Sequence, residues 1–177
     1  EKQLNVNGKT NPFSFFTETM PVSIRLDPSG KILKRSREMQ VEIYIALGEE
    51  YRLEGEFIPA IREYERATEM STRSSLGHFR LGELFFDQQN LSSAANSFRE
   101  SLNGDLKPNW VEAWSHIYLG KVYDILGQRQ RALAEYQKAI NTKNDYNGAQ
   151  SEAKKYIESP FAKPSSLIGL EENRSDN

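Results

Sequence analysis

A helix–turn–helix pattern recurs along this 177-residue chain, and it restricts the possible folds more than any other feature. The pattern is clearest over residues 113–140. Its first half has an apolar stripe at steps of three residues, as in an amphipathic helix: Ile117, Gly120, Tyr123 and Leu126. Gly127 breaks the stripe, and a second one resumes from Ala132 to Ala139. Two short helices joined by a glycine turn form an αα-hairpin. A single hairpin cannot bury both of its faces, so the sequence predicts neighbouring hairpins.

Two further copies of the pattern lie upstream, and together the three copies resemble a known family. Gly48, Gly82 and Gly120 stand at equivalent places, and each follows a leucine. Each copy continues with an aromatic residue, a small residue, another aromatic and a second small residue. The order and the spacing resemble the tetratricopeptide repeat, a helix–turn–helix of 34 residues. The middle copy departs from the family pattern at Gln89, where Gly or Asn is usual, and at Ser101, where Ala is usual.

The resemblance implies an all-α fold, a right-handed superhelix of antiparallel helix pairs. We expect repeats at about 41–74, 75–108 and 113–146, followed by a capping helix at 148–158 that covers the last apolar face. The repeat domain is predicted to span residues 36–158. Residues 1–35 are predicted to be a linker with a short extended segment, and residues 159–177 a disordered tail rich in Ser, Glu, Asn and Asp.

Composition excludes several classes of function. A net charge of −2 gives no basic footprint for nucleic acid, and the absence of cysteine rules out disulfides and thiolate metal sites. No apolar run approaches the roughly 18 residues of a membrane-spanning helix. The chain begins at Glu1, which leaves open an upstream signal or anchor, so the residues assign no compartment.

Nothing in the sequence predicts an enzyme or a cofactor. His78 and His116 occupy the same repeat position, where a packing role explains both better than metal ligation. No glycine-rich phosphate loop is present, and no nucleophile–base pair stands out. We therefore expect neither catalytic nor metal-binding residues.

Recognition of another polypeptide is the function that the resemblance implies. In the family, the first helix of each repeat lines a concave groove. The corresponding positions here are Glu42, Ile45, Glu49 and Arg52 in the first repeat, Phe79, Arg80, Glu83 and Phe86 in the second, and Trp114, Tyr118, Lys121 and Asp124 in the third. Aromatic residues and arginine are frequent hot spots of binding. The four aromatic residues of this set either face a partner or pack on a neighbouring helix, and the sequence leaves both open.

The sequence does not fit the carboxylate clamp with which cochaperones of this family hold the C-terminus of a partner. The clamp needs Lys, Asn and Arg side chains, and its positions here hold Ile45, Glu49, Arg80, Trp114 and Tyr118, of which only Arg80 is cationic. We therefore expect an adaptor that binds an internal segment of a partner protein. The alternative is a structural module in a larger complex, such as an envelope, secretion or pilus assembly. In that case the groove would be filled by a second copy or by the chain's own N-terminal segment, which carries Phe13, Phe15 and Phe16; the oligomeric state is open.

Overall fold

Seven α-helices, arranged as three successive pairs and one further helix, make up residues 36–162, the part of the chain that this computed structural model describes. The pairs are α1 (Arg37–Leu53) with α2 (Phe57–Met70), α3 (Ser75–Asp87) with α4 (Leu91–Leu102), and α5 (Val111–Ile125) with α6 (Arg129–Asn141). A short 3-10 turn (Tyr146–Gly148) leads into α7 (Ala149–Glu158), which packs on α6 and α5. This order confirms the predicted all-α fold of stacked helix pairs.

Three of the described helices, α1, α3 and α4, begin at residues whose side chains satisfy free backbone N–H groups. Ser36 Oγ accepts a hydrogen bond from the Met39 N–H at 3.1 Å, and Ser74 Oγ accepts one from the Gly77 N–H at 3.2 Å. Asn90 does the same for α4. Such N-caps fix the starts of α1, α3 and α4 from local chemistry alone.

The turns inside the pairs need one residue with a positive φ. Gly55 and Gly127 supply it in the first and third pairs, with φ of +80° and +69°, whereas the second pair uses Gln89 at +62°. A side chain in this left-handed region costs about 1–2 kcal/mol, which glycine avoids. Gln89, which departs from the family pattern in the middle repeat, is therefore in a strained backbone conformation.

We expect Gln89→Gly to raise the free energy of unfolding by about 1 kcal/mol, because it relieves this strain. Urea denaturation measures the change. The matched control is Gln88→Gly, one residue earlier, where φ is −79° and glycine should only lose stability. A Gln89→Gly variant no more stable than the wild type would contradict the prediction.

In each pair, a glycine on the first helix packs directly against an aromatic ring on the second. A Cβ built on Gly48 would overlap the Tyr64 ring, and one on Gly120 would overlap the Tyr136 ring. In the middle pair a Cβ on Gly82 would lie 2.6 Å from Phe98 Cε1. The absence of a side chain at these glycines therefore lets the two helices of each pair approach closely.

Three buried serines explain the departure of the middle repeat at Ser101. Ser75 and Ser101 exchange hydrogen bonds, since each Oγ donates to the backbone carbonyl of the other at 2.7–2.8 Å. Ser115 Oγ of the next repeat then donates to Ser101 Oγ at 3.0 Å. Alanine at this place would leave buried polar groups without partners. The serine therefore ties the second pair to the third.

The chain remains packed beyond α7 as far as Phe161. The sequence predicted a disordered tail from residue 159, but Phe161 lies against the main hydrophobic core. This corrects that expectation for Phe161. Residues 1–35 and 163–177 lie outside the described residues, so the proposed domain bounds and the Phe13, Phe15 and Phe16 segment remain predictions.

Candidate functional site

The twelve predicted groove residues lie on α1, α3 and α5, the first helices of the three pairs, and we call the surface that they form the groove face. Helix α3 contacts α1 on one side and α5 on the other, and α5 also contacts α7. The structure divides the predicted residues into three groups. One is a set of ion pairs, one surrounds an aromatic pocket, and one is covered by the chain itself.

The ion pairs occupy the part of the groove face between α1 and α3. Arg52 and Glu49 form a two-pronged pair at 2.7 and 3.1 Å, and Arg80 Nη1 lies 2.6 Å from Glu83 Oε2. Arg80 Nε is 3.8 Å from Glu49 Oε2, so it connects the two pairs without a hydrogen bond. Two carboxylates and two guanidinium groups leave this patch without net charge.

The Glu49 and Glu83 carboxylates lie in different environments. The hydrogen bond from Arg52 holds the pKa of Glu49 below its ordinary value, although burial acts in the opposite sense. For Glu83 burial dominates and raises the pKa, despite the adjacent Arg80. Burial likewise raises the pKa of Tyr118, whose hydroxyl donates to Glu83 Oε1 at 3.3 Å. These groups are built into the fold as partners for one another.

Glu42 and Ile45 border a shallow depression beside these ion pairs. Its walls come from α1 and α3, and it is lined by Glu42, Ile45, Ala46, Glu49, Leu76 and Arg80. Glu42 is exposed and Ile45 is half-buried. The first predicted group therefore does come together in space.

A second depression, which we call the Trp pocket, has mostly aromatic walls. It is lined by Phe79, Arg80, Glu83, Trp110, Trp114, Tyr118, Tyr146 and Asn147. The Trp110 and Tyr146 rings stack with centroids 5.4 Å apart and planes 14° apart. Trp114 Nε1 donates to the Tyr146 carbonyl at 3.0 Å. These contacts hold the two indoles in place.

Three residues of the Trp pocket were missed by the sequence analysis: Trp110, Tyr146 and Asn147. Trp110 is the N-cap residue of α5 and stands four residues before Trp114, so it lies on the same side, and this spacing could have identified it. No sequence signal places Tyr146 there, because it comes from the turn before α7.

Phe79 and Asp124 do not project from the groove face, which corrects the expectation for these two positions. Phe79 is only 2% exposed and forms the floor of the Trp pocket, with its ring against Phe98, Trp110 and Tyr118. The Asp124 side chain is 1% exposed. It accepts hydrogen bonds from the Tyr136 hydroxyl at 2.9 Å and from Arg129 at 3.0 Å. For Phe79, packing on neighbouring helices was the correct alternative.

Lys121 is also largely buried, inside a group of aromatic rings. Its Nζ lies 4.9–5.9 Å from the ring centroids of Trp114, Tyr118, Tyr156 and Phe161. It also lies 3.2 Å from Glu152 Oε1 on α7. Burial lowers the pKa of Lys121, while the Glu152 carboxylate favours its charged form. This ammonium group therefore joins α5 to α7.

Phe86 and Phe161 complete this end of the groove face. The Phe86 ring lies edge-on to Tyr118 at 5.3 Å, and Phe161 lies 6.0 Å from Phe86 and 5.3 Å from Tyr156. The Phe161 N–H donates to Asp124 Oδ2 at 2.8 Å. The chain's own C-terminal side thus covers the last of the predicted groove positions.

The two histidines make structural contacts. His116 Nδ1 lies 2.7 Å from Glu135 Oε2, and His78 Nε2 lies 3.1 Å from the Thr72 carbonyl. Between residues 36 and 162, no three His, Asp or Glu side chains converge as a metal site would require. In the same range, no helix is both long and apolar enough to cross a bilayer.

Comparisons with known proteins agree with the fold of stacked helix pairs. A family model described as the tetratricopeptide repeat matches residues 41–73 and 116–146. No curated protein matches the sequence. Among solved structures, MamA is 24% identical with a TM-score of 0.53, and the alignment covers 67% of this chain and 74% of that one. The N-terminal domain of stress-induced protein-1 from C. elegans is 11% identical with a TM-score of 0.58, and the alignment covers 71% of this chain and 100% of that one.

One similar structure belongs to an enzyme. The O-GlcNAc transferase of Thermobaculum terrenum is 22% identical with a TM-score of 0.58, over 75% of this chain but only 25% of that chain. At these identities the similarities show the fold alone, the stacked helix pairs.

Proposed function

The chain is a tetratricopeptide-repeat protein, and on that basis we propose that it is a non-catalytic scaffold that binds a partner polypeptide on its groove face. Proteins of this repeat class bind other proteins, and the described helices are of the repeat type. Beyond protein binding in general, we propose that the groove face is the binding surface, that the bound segment is internal to the partner chain, and that the protein is not a catalyst.

The observation that carries the proposal is the Trp pocket. It offers two indoles and Tyr146 on rigid elements, and Trp110 and Trp114 are both half-buried with their rings fixed by neighbours. Preorganised aromatic side chains bind with little loss of conformational entropy, and Trp and Tyr dominate binding energy at interfaces. Such a pocket suits an apolar or aromatic side chain of an extended or helical segment.

The electrostatics favour an internal segment of the partner. Arg52, Arg80 and Lys121 each have a carboxylate partner already. Recognition of a chain terminus would require a cation that is free to pair with its carboxylate. A face with aromatic walls, whose cations are already paired, instead suits side chains and backbone from within a chain.

We expect Trp114→Ala to weaken partner binding at least tenfold, since truncation of a hot-spot tryptophan costs about 2 kcal/mol or more. A quantitative pull-down from a lysate of the source organism identifies the retained protein, and a titration with that protein gives Kd. The control is Phe57→Ala, which removes an exposed aromatic ring on α2, away from both depressions. Equal loss in both variants, or none in either, would contradict the assignment to the Trp pocket.

The alternative is a structural module whose groove is filled from within or by a second copy, in support of a larger assembly. The contacts of Phe161 favour self-occupancy at one end of the groove face. For the N-terminal segment, deletion of residues 1–20 is the test. Lower stability would support a self-filled groove, whereas unchanged stability with equal or tighter partner binding would support the adaptor.

A further inference from the structure

The side chain of Phe161 occupies a bay at the α7 end of the groove face. We define the Phe161 bay by four residues: Phe86 on α3, Lys121 and Asp124 on α5, and Tyr156 on α7. Two aromatic rings contact the Phe161 ring, at 5.3 and 6.0 Å between centroids, and Lys121 Nζ lies 5.4 Å from its centre. The bay therefore combines an apolar slot with a cation over the ring.

The bay also contacts the backbone of its occupant. Asp124 Oδ2 accepts the hydrogen bond of the Phe161 N–H at 2.8 Å, while Arg129 and Tyr136 hold the carboxylate in position from behind. The residue before Phe161 is Pro160, whose ring fixes φ, and Ser159 is extended with φ −138° and ψ +129°. The features recognised are thus an aromatic side chain and its own N–H on an extended backbone.

Phe161 is more buried than the residues on either side of it. It is half-buried, and Pro160 and Ala162 on either side of it are exposed. It follows the last residue of α7, Glu158, by three positions, so it can leave the bay without unfolding a helix. An occupant attached in this way is displaceable.

The bay continues the Trp pocket along α5. Lys121 stands seven residues after Trp114, which is two helical turns or about 10 Å. The Tyr118 ring lies between them, 6.3 Å from Trp114 and 5.3 Å from Phe86. An extended peptide advances about 3.3 Å per residue, so roughly three residues separate side chains that fill the two sites.

We propose that the Phe161 bay is a second subsite for the partner segment, and that a Pro-aromatic pair in an extended segment of the partner protein displaces Phe161. This inference rests on the proposed function, because it extends the same binding face. The partner segment would carry two apolar anchors about three residues apart, one in the Trp pocket and one in the bay. Phe161 then acts as a tethered competitor that keeps the bay covered until such a segment arrives.

The test uses the chain's own sequence as the probe. A fluorescein-labelled, acetylated and amidated peptide of residues 158–162 (Glu-Ser-Pro-Phe-Ala) is titrated against the full chain by fluorescence anisotropy. We expect Phe161→Ala to bind it at least tenfold more tightly than the wild type, because a tethered side chain competes at an effective concentration on the order of millimolar. Ala162→Ser, a change at the exposed neighbour, should behave as the wild type.

Further variants keep the result specific to the bay. Adding Phe86→Ala to Phe161→Ala should abolish the gain, with folding checked by circular dichroism, and a peptide with Ala in place of Phe should not bind. Equal affinity of wild type and Phe161→Ala, or a gain that survives Phe86→Ala, overturns the inference.

A peptide of residues 11–16, which contains Pro12 and Phe13, tests whether the chain's own N-terminal segment is the occupant of the bay. If it binds Phe161→Ala more tightly than the 158–162 peptide does, the bay belongs to this chain's N-terminal segment and the partner assignment is overturned.

The two proposals fail in different ways. If the wild type captures a partner that depends on Trp114, and Phe161→Ala retains no more of it, the proposed function stands and the displacement of Phe161 is overturned. If retention rises in Phe161→Ala, both are supported.

Discussion

A Gly120→Val variant is expected to lose about 3 kcal/mol of unfolding free energy, a large share of the 5–15 kcal/mol typical of a folded domain. Gly120 lies on α5 against the Tyr136 ring, and even a Cβ atom at this place would overlap ring atoms. Tyr136 is fully buried, and its hydroxyl is bonded to Asp124, so the ring cannot move aside. The added side chain must instead push α5 and α6 apart.

Urea denaturation with far-UV circular dichroism measures this loss. The control is Gly127→Ala, at a glycine with φ of +69° and no atom within 4 Å of an added Cβ. That change introduces only backbone strain and should cost about 1 kcal/mol. In a double-mutant cycle, Tyr136→Ala should make Gly120→Val much less harmful, since it removes the atoms that clash. Strictly additive effects would show that the contact is not the cause.

Asp124→Ala is the second change with a large expected effect, about 3 kcal/mol or more. The carboxylate is nearly inaccessible, and it accepts hydrogen bonds from Arg129, the Tyr136 hydroxyl and the Phe161 N–H. Removal of the carboxylate leaves Arg129, whose side chain is 29% exposed, without its ion-pair partner. Arg129 would keep its bond to the Ile157 carbonyl at 2.7 Å, but Tyr136 would lose its buried acceptor.

Chemical denaturation of three variants separates the contributions. Asp124→Asn keeps the shape of the side chain and should cost less than Asp124→Ala. Tyr136→Phe removes one donor and should cost about 1 kcal/mol. Glu50→Ala, at an exposed carboxylate of α1, is the control and should change stability by less than about 0.5 kcal/mol. A loss at Asp124 no larger than that at Glu50 would contradict a structural role.

The fold was predictable from sequence because its determinants are local and repeated. The positions of Gly48, Gly82 and Gly120 reflect one packing contact that occurs in every pair. The caps at Ser36 and Ser74 require only residues three positions away. The two departures noted in the middle repeat also have local physical reasons, namely strain at Gln89 and a hydrogen-bonded serine cluster at Ser101.

The candidate site was less predictable because it depends on contacts between distant parts of the chain. The repeat pattern assigns the correct helices but does not say which side chains a neighbour covers. Phe79 is buried because Trp110 and Tyr118 of the next pair lie over it, and Lys121 because α7 follows. Phe161 carries no repeat signal, so its docking on Asp124, 37 residues earlier in the chain, could not be read from spacing.

The position of the two tryptophans has a consequence for spectroscopy. The chain contains only Trp110 and Trp114, and both line the same pocket. Indole emission responds to local polarity and to the mobility of the ring. The tryptophan emission of the unlabelled protein therefore reports on the proposed recognition surface, with no contribution from indoles elsewhere. A spectral shift on mixing with a tryptophan-free candidate partner would register occupancy of that pocket in solution.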